Sequence, residues 1–525
     1  MSRVASALLL ALALTAVIPA APLPPAGVRG DQFVTGDQAF RFVGANVRGI
    51  SHYGEGDVLP FTNSAHRSEN LDAVANMDGL VIRTFLPIPD PSRTAGTAAT
   101  EELIARLGVT LDACEQRGIR AIVALTDFYA ASGFRVPGDD AYYTDNGAGF
   151  VVLNDAWFAG GYQDNYLPWV EDVVSAHANH SAVFAWEIGN ELTDAFGTNN
   201  ILAFATDVAA TIRAHDPDTL IAFGGLGVEH FDFGGELGRA VEFYDILDID
   251  FVTIHIFDGN VSDDTFRVAW ALEKPIVVEE TGNSLAMFPD RPGALTAQMA
   301  DWIDAREARG ILQWGFQSQN VDIGDGDLLY GMDPNAFVSD WAAMNAAYQN
   351  RAFLFGYNAI TVPPIALPAG DNLALTATDW ATSSDFSAAF DGSKAIDGVI
   401  APDSKWTSDG STSTSWLALD LGQLSGITGA VVRSAGAGYE TPIYNLTALQ
   451  IQVGPSLSGP WTTHFTFSDN HPRNRAVCLF DEPVFARFVR LLVTDAGVDN
   501  YARVPEFEVY GIAWTGPPPS GLSLD

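Results

Sequence analysis

The amino-acid sequence predicts an α/β chain in which a (β/α)₈ TIM barrel precedes an all-β sandwich. Three observations carry this. Between Phe40 and Phe316, short apolar runs alternate with longer amphipathic ones, as in successive β/α units on a parallel sheet. From Asn372 to Gly511 the texture changes to Thr, Ser, Val and aromatics in short alternating runs, divided by turns such as Asp391-Gly392 and Asp397-Gly398. Between the two, GYNAITVPPIALPAGD supplies Gly and Pro without periodicity, as a linker does.

The expected barrel strands are 40–47 (FRFVGANV), 80–86 (LVIRTFL), 120–127 (RAIVALTD), 183–190 (VFAWEIGN), 220–227 (LIAFGGLG), 250–257 (DFVTIHIF), 274–281 (KPIVVEET) and 310–316 (GILQWGF). Helical patterns such as EELIARLGVTLDACEQRG lie between them, several closed by Gly or Asp-Pro stops. Eight such repeats fit a closed barrel better than an open doubly wound sheet. Arg3, the apolar run from Ala5 to Val17, and Ala20-Ala21 read as a signal peptide within 1–26. The barrel is then expected over 31–355, the linker over 356–371, the sandwich over 372–513 and a disordered tail over 514–525. With no later apolar run long enough to span a bilayer, the mature protein is expected to be secreted and extracellular, without a membrane anchor.

Sixty-five acidic against 27 basic residues give a formal charge of −38, with Lys274, Lys394 and Lys405 the only lysines. Such a surface repels nucleic-acid phosphates and keeps an exported protein soluble, but names no substrate. Two cysteines, Cys114 and Cys478, exclude a disulfide framework, and Cys114 reads as a small buried hydrophobe.

In such barrels, chemistry sits at the carboxyl ends of strands. The fourth strand ends in AWEIGNEL, which brings Asn190 and Glu191 to the rim, and the seventh in VVEETGN, which brings Glu280 there. Cleaving a glycosidic bond takes a proton for the leaving oxygen and a carboxylate for the anomeric carbon, with the two carboxyls about 5 Å apart in a retaining enzyme. By alternation Glu279 faces the other side of its strand as a structural acid, a one-residue register shift being enough to exchange its role with Glu280, and Glu187 lies deeper as an ion-pair partner on the barrel floor. Trp157, Trp169 and Trp186 are candidates for sugar stacking, the last two equally for the core.

Asn-Glu after strand four and Glu-x-Gly after strand seven together resemble the retaining barrel glycosidases of the clan that includes glycoside hydrolase family 5. FVGANV, VIRTF, FAWEIGNEL, DFVTIHIF and KPIVVEETGN resemble its β-mannanase branch. The resemblance implies Glu191 as acid/base and Glu280 as nucleophile, with Arg83, Asn190, His255 and Trp314 around the substrate. On that assignment Glu280 would raise the pKa of Glu191 while Arg83 keeps Glu280 ionised. Asn190 would hydrogen-bond the sugar 2-hydroxyl and Trp314 form a stacking floor. Two departures stand out: Phe257 replaces the tyrosine usual two residues after the histidine, and strand three ends in TDFYAASG. Asp127, Tyr129 and Tyr53 are the candidates to supply the missing hydroxyl or a substrate contact.

In the second domain NLALTATDWATSS, KAIDG, KWTS, WLALDLG, RFVRLLVTD and PEFEVYG resemble the discoidin or coagulation factor 5/8 type C sandwich, the jelly-roll fold of carbohydrate-binding module family 32. The resemblance implies a structural calcium held by the Lys394 carbonyl, Asp397, Ser404 and Glu506. Trp380, Trp406, Tyr439, Tyr444 and Tyr501 are candidate sugar contacts, with Trp406 and Trp416 read as core. The function expected is endo-acting hydrolysis of β-mannan or a related β-1,4-glycan by a monomer, with no cofactor for catalysis. A β-glucanase or cellulase, or an exo-β-glycosidase, on the same carboxylates is the second enzyme reading, to be decided by the loops at 90–100 and 133–155. A non-catalytic carbohydrate-adhesion protein is the alternative of another class.

Overall fold

The structure is a computed structural model that describes residues 21–47, 64–86, 98–129, 140–145, 147, 150–193, 200–228, 236–318, 329–332 and 340–516. The signal segment before residue 21, Tyr53, residues 90–97 and 133–139 of the loops at 90–100 and 133–155, and the last nine residues lie outside these.

Eight parallel strands form the first domain: β1 (Phe42–Asn46), β2 (Val81–Phe85), β3 (Arg120–Ala124), β4 (Val183–Glu187), β5 (Leu220–Ala222), β6 (Val252–Phe257), β7 (Ile276–Gly282) and β8 (Gly310–Gln313). Each coincides with one of the eight expected runs; six stop short of the run's carboxyl end, where the chain turns into a rim loop, while β6 reaches Phe257 and β7 runs one residue further, to Gly282. The sheet order is β5-β4-β3-β2-β1-β8-β7-β6, and the bridge Ala222–Phe251 closes it into a barrel. Around it lie α1 (Ser64–Asn76), α2 (Ala98–Glu115), α3 (Tyr166–His177), α4 (Asn200–His215), α5 (Leu237–Tyr244), α6 (Asp264–Leu272), α7 (Arg291–Met299) and α8 (Trp341–Tyr357). Apolar faces of these helices pack on the strands in one continuous core.

Three short strands, Ala26–Arg29, Gln32–Thr35 and Gln38–Ala39, plug the amino-terminal end of the barrel. Phe33 meets Phe184 and Phe251 edge-on, each at 5.1 Å, and closes that end with aromatic surface. The opposite end is left for chemistry.

The second domain is an antiparallel sandwich built on two long bent strands, Ser415–Arg433 and Arg475–Asp495, which pair along most of their length. Trp406 lies in its core. Trp416, expected there too, is half-buried beneath the Arg490 guanidinium at 5.9 Å, because it sits on the outward side of the alternation that buries Leu417 and Leu419 inside.

The two domains are clamped together. His471 stacks on Trp270 of α6 with ring centroids 4.0 Å apart, and the Asn474 amide donates to the Ala271 carbonyl at 2.8 Å. Glu273, just past α6, accepts from both Arg473 and Arg475. Tyr439, a candidate sugar contact, is spent on this junction: its hydroxyl donates to Asp245 at 3.1 Å. Its carbonyl presses on Gly238, where a Cβ would come within 2.4 Å. The segment read as a linker is strapped to the barrel floor, with the Val362 amide on the Asp37 carbonyl and Thr361 bridging Gln38.

Candidate active site

The carboxyl ends of β2, β4, β6 and β7 converge on one buried cluster of charge. Arg83 of β2 is fully buried and all five of its N–H groups are used. Nε and Nη2 grip Glu187 at 2.6 and 2.7 Å, Nη2 also reaches Asn190 at 2.7 Å, and Nη1 serves Glu280 at 2.5 Å and Asn46 at 3.1 Å. Glu187 is thus the floor-level ion-pair partner expected from its depth. Asn190 in turn donates to Asp127 at 3.0 Å.

Glu191 follows β4 in a left-handed backbone conformation (φ 53°), with its amide on the Gly224 carbonyl. A non-glycine residue is held there only by its surroundings. Gly224 permits the crowding, since a Cβ at that position would lie 2.3 Å from Glu187 Oε1. The Glu191 carboxylate accepts from His255 Nδ1 at 2.7 Å and from the Tyr129 hydroxyl. Of the three candidates for the hydroxyl missing at Phe257, Tyr129 therefore serves Glu191 rather than Glu280. Tyr129 also carries the packing of its loop, edge-on to Phe128 and Phe150.

Strand β7 departs from simple alternation. Against β6, Ile254 pairs with Val278 but His255 pairs with Glu280, and the register shifts against β8 in the same place. Glu279 is the extra residue of this bulge. Its carboxylate lies inside the barrel, 3.8 Å from Arg83 Nε and 3.7 Å from His255 Nε2, and not on the far side of the strand as alternation required. Bulges beside active sites commonly re-aim a side chain in this way.

The cluster sets two cations among four carboxylates. For His255, burial disfavours the imidazolium, but Glu280, Glu191 and Glu279 outweigh it and raise the ring to about 10. Burial pushes Glu280 up to about 7 against the pull of His255 and Arg83, with Glu191 adding repulsion. Glu187 also rises to about 7, through burial and the charge of Glu279, in spite of its two contacts to Arg83. Burial works on Glu191 in the same sense, yet the hydrogen bond and charge of His255 prevail and hold it below the ordinary value. The expected order is reversed in the free protein: Glu191 is the more acidic of the pair, because the imidazolium bonds to it and not to Glu280.

Ligand atoms of Glu191, His255 and Glu280 lie within 4.8 Å of one another. A metal is poorly served there, since Nδ1 spends its proton on Glu191 and a protonated ring has no lone pair to offer. Trp314, half-buried after β8, stands edge-on to Phe85 and Phe257 at 6.3 and 6.4 Å and walls the same mouth. Trp157 does not: it is fully buried against Phe204 and Tyr166, so the expected sugar platform is a core residue, as are Trp169 and Trp186.

Residues 379–507 match the F5/8 type C domain model. A mannan endo-1,4-beta-mannosidase A from Podospora anserina is 26% identical over 341 residues, 58% of this chain and 86% of the relative. Over that stretch the chain is similar to a mannan endo-1,4-beta-mannosidase. Other relatives match over less of their length: for a probable mannan endo-1,4-beta-mannosidase F from Aspergillus flavus, 27% identity covers 38% of this chain and 46% of that protein. Among solved structures, the endo-1,4-beta-mannanase from Rhizomucor miehei is 17% identical over 63% of this chain and 99% of that one, with a TM-score of 0.48.

In the region that matches the F5/8 type C domain model, Asp397 accepts from the Ser404 hydroxyl at 2.6 Å and Glu506 from the Gly398 amide at 3.1 Å. Lys394 belongs to the short helix Gly392–Ala395 just before them. Tyr444 packs under the Arg503 guanidinium at 4.1 Å, and Tyr501 lies across Gly410.

Proposed function

We propose that the protein is an endo-acting hydrolase of β-1,4-mannan that works by double displacement with retention. The observation that carries this is the pair of buried strand-end carboxylates, Glu191 and Glu280, with oxygens within 4.8 Å. That separation leaves no room for water between acid and nucleophile and suits direct attack by Glu280. Arg83 steadies the attacking carboxylate. The proton for the leaving oxygen comes through Glu191 from the hydrogen bond it shares with His255 Nδ1; in the second displacement Glu191 takes a proton from the attacking water and shares it again with His255, which restores the starting state. Asn190 is assigned to the sugar 2-hydroxyl and Trp314 to the floor of the cleavage subsite. The mannosidase relatives support mannan over other β-glycans.

We further propose export through the amino-terminal segment and a structural calcium in the second domain. Support for the cation is the chemistry of its donors. Glu506 is buried, has no ion-pair partner among the described residues, and is pushed up to about 7 by burial and by the neighbouring Asp397. Hard oxygen donors with uncompensated charge suit Ca²⁺. Asp397, Ser404 and Glu506 would hold it with the Lys394 carbonyl.

The test incubates the purified protein, with Glu191→Ala and Glu280→Ala variants, on β-mannan, glucomannan, cellulose derivatives and β-1,3-glucan. Reducing sugar from mannan by the wild type alone, first appearing as the β-anomer, is expected. No release from any polymer, with polymer binding retained, would favour adhesion instead.

A further inference from the structure

We infer that Glu279 is a positioning residue that closes a Glu279–His255–Glu191 chain, holding the imidazole ring with its Nδ1 proton aimed at Glu191. The inference rests on the reading of Glu191 as acid/base. Glu279 is fully buried, and neither of its carboxylate oxygens has a hydrogen-bond partner. Arg83 cannot satisfy it, although Nε lies at 3.8 Å, because all five guanidinium protons go to Glu187, Glu280, Asn46 and Asn190. A donor that does face it among the described residues is His255 Nε2, at 3.7 Å, itself buried and without a hydrogen-bond partner. Buried polar groups are almost always paired, and here an unmatched donor and an unmatched acceptor face each other. The distance is long for a hydrogen bond, as contacts around catalytic groups often are before substrate binds.

The backbone is arranged for this contact. The Asn46 side chain donates to the Glu279 carbonyl at 2.8 Å and pins the bulge that turns the carboxylate inward. A carboxylate behind a histidine fixes the ring's orientation and stabilises its charged form, the logic of acid–histidine pairs in hydrolases. The other charged or titratable groups facing the ring and its partners are Arg83 on β2, Tyr129 after β3, Glu187 and Glu191 on and after β4, and Glu280 on β7. Of these, Glu191 and Glu280 approach the Nδ1 side of the ring, and Glu279 approaches Nε2. Glu279 therefore governs how long the His255–Glu191 pair keeps its proton as pH rises.

The experiment is Glu279→Gln in the full-length protein, with kcat/KM on mannan measured across pH. Removing the anion behind the ring makes the shared proton easier to lose, so the alkaline limb should move to lower pH by about one to three units. A variant whose activity falls equally at every pH, with its limb in place, would overturn the inference and leave Glu279 a packing residue. ¹⁵N NMR of the imidazoles in the wild type, with the His255 signal assigned through His255→Gln, tests the same point without turnover. An imidazolium persisting at pH 8 is expected; a neutral ring at that pH overturns the inference even if Glu279→Gln does not fold. Failure of the mannanase reading would appear separately, as a wild type that releases no sugar.

Discussion

Replacing Arg83 by Met keeps much of the side-chain volume and removes the cation on which Glu187 and Glu280 both depend. Breaking a buried ion pair costs about 3–5 kcal/mol when the partner charge is stranded. The stranded carboxylates can escape by taking up protons. With both groups near 7 in the wild type, protonating the two at pH 8 costs about 1.4 kcal/mol each, near 3 kcal/mol together. The expected loss in urea unfolding is therefore about 3–5 kcal/mol at pH 8 and about 1–3 kcal/mol less at pH 5.5, where both already carry protons. The sign follows from linkage. Without Arg83 both folded-state values rise further above the ordinary 4.5, so the folded state holds protons that the unfolded chain releases, and stability falls as pH rises from 4.5 through the folded values. An equal loss at both pH values, or one below about 1 kcal/mol, would refute the view of Arg83 as the shared counter-ion.

Because Glu280 must be ionised to attack and sits near 7, kcat/KM of the wild type should fall as pH drops through about 7, and initial rates across pH 4–9 will show whether it does. Trp157→Ala should cost about 3–5 kcal/mol in denaturant unfolding while leaving KM for soluble mannan unchanged in the folded fraction, since the ring fills core and not subsite. Trp314→Ala should instead raise KM, by about tenfold for a lost stacking contact of 1–2 kcal/mol, with little change in unfolding midpoint. Chelation with EGTA should lower the melting temperature of the second domain and leave that of the barrel in place, read by calorimetry, if Asp397 and Glu506 hold calcium.

The barrel was legible because its signal is repetitive: eight apolar runs at regular spacing need only the period of a buried strand to be read, and each strand end then offers few residues for the rim. Glu191 and Glu280 could be picked out that way, and Glu187 by its depth. The bulge at Glu279 could not, since alternation assumes a regular ladder and the register shift depends on the neighbours β6 and β8. The reversed acidity of Glu191 and Glu280 was hidden for a related reason: it turns on which carboxylate His255 touches, a matter of ångströms across three strands. Trp157 and Tyr439 show another limit. A tryptophan in a rim segment and a tyrosine in a sandwich loop look alike whether they meet sugar, core or a second domain, and the helix face that claims Tyr439 lies almost 200 residues away in sequence.

A carbohydrate-binding module on a slack leash searches a sphere around its enzyme, and its benefit falls as the leash lengthens. The clamp of Arg473 and Arg475 on Glu273, with His471 laid on Trp270, gives this pair of domains no such freedom. On a reading in which the second domain binds the polymer, the two would move over it as one body, like a tool whose foot and blade are cast together. Wherever the foot landed, the blade would meet the surface at one offset and one angle, so the junction would set which bonds along a fibre come within reach, and lengthening residues 358–370 would change that little.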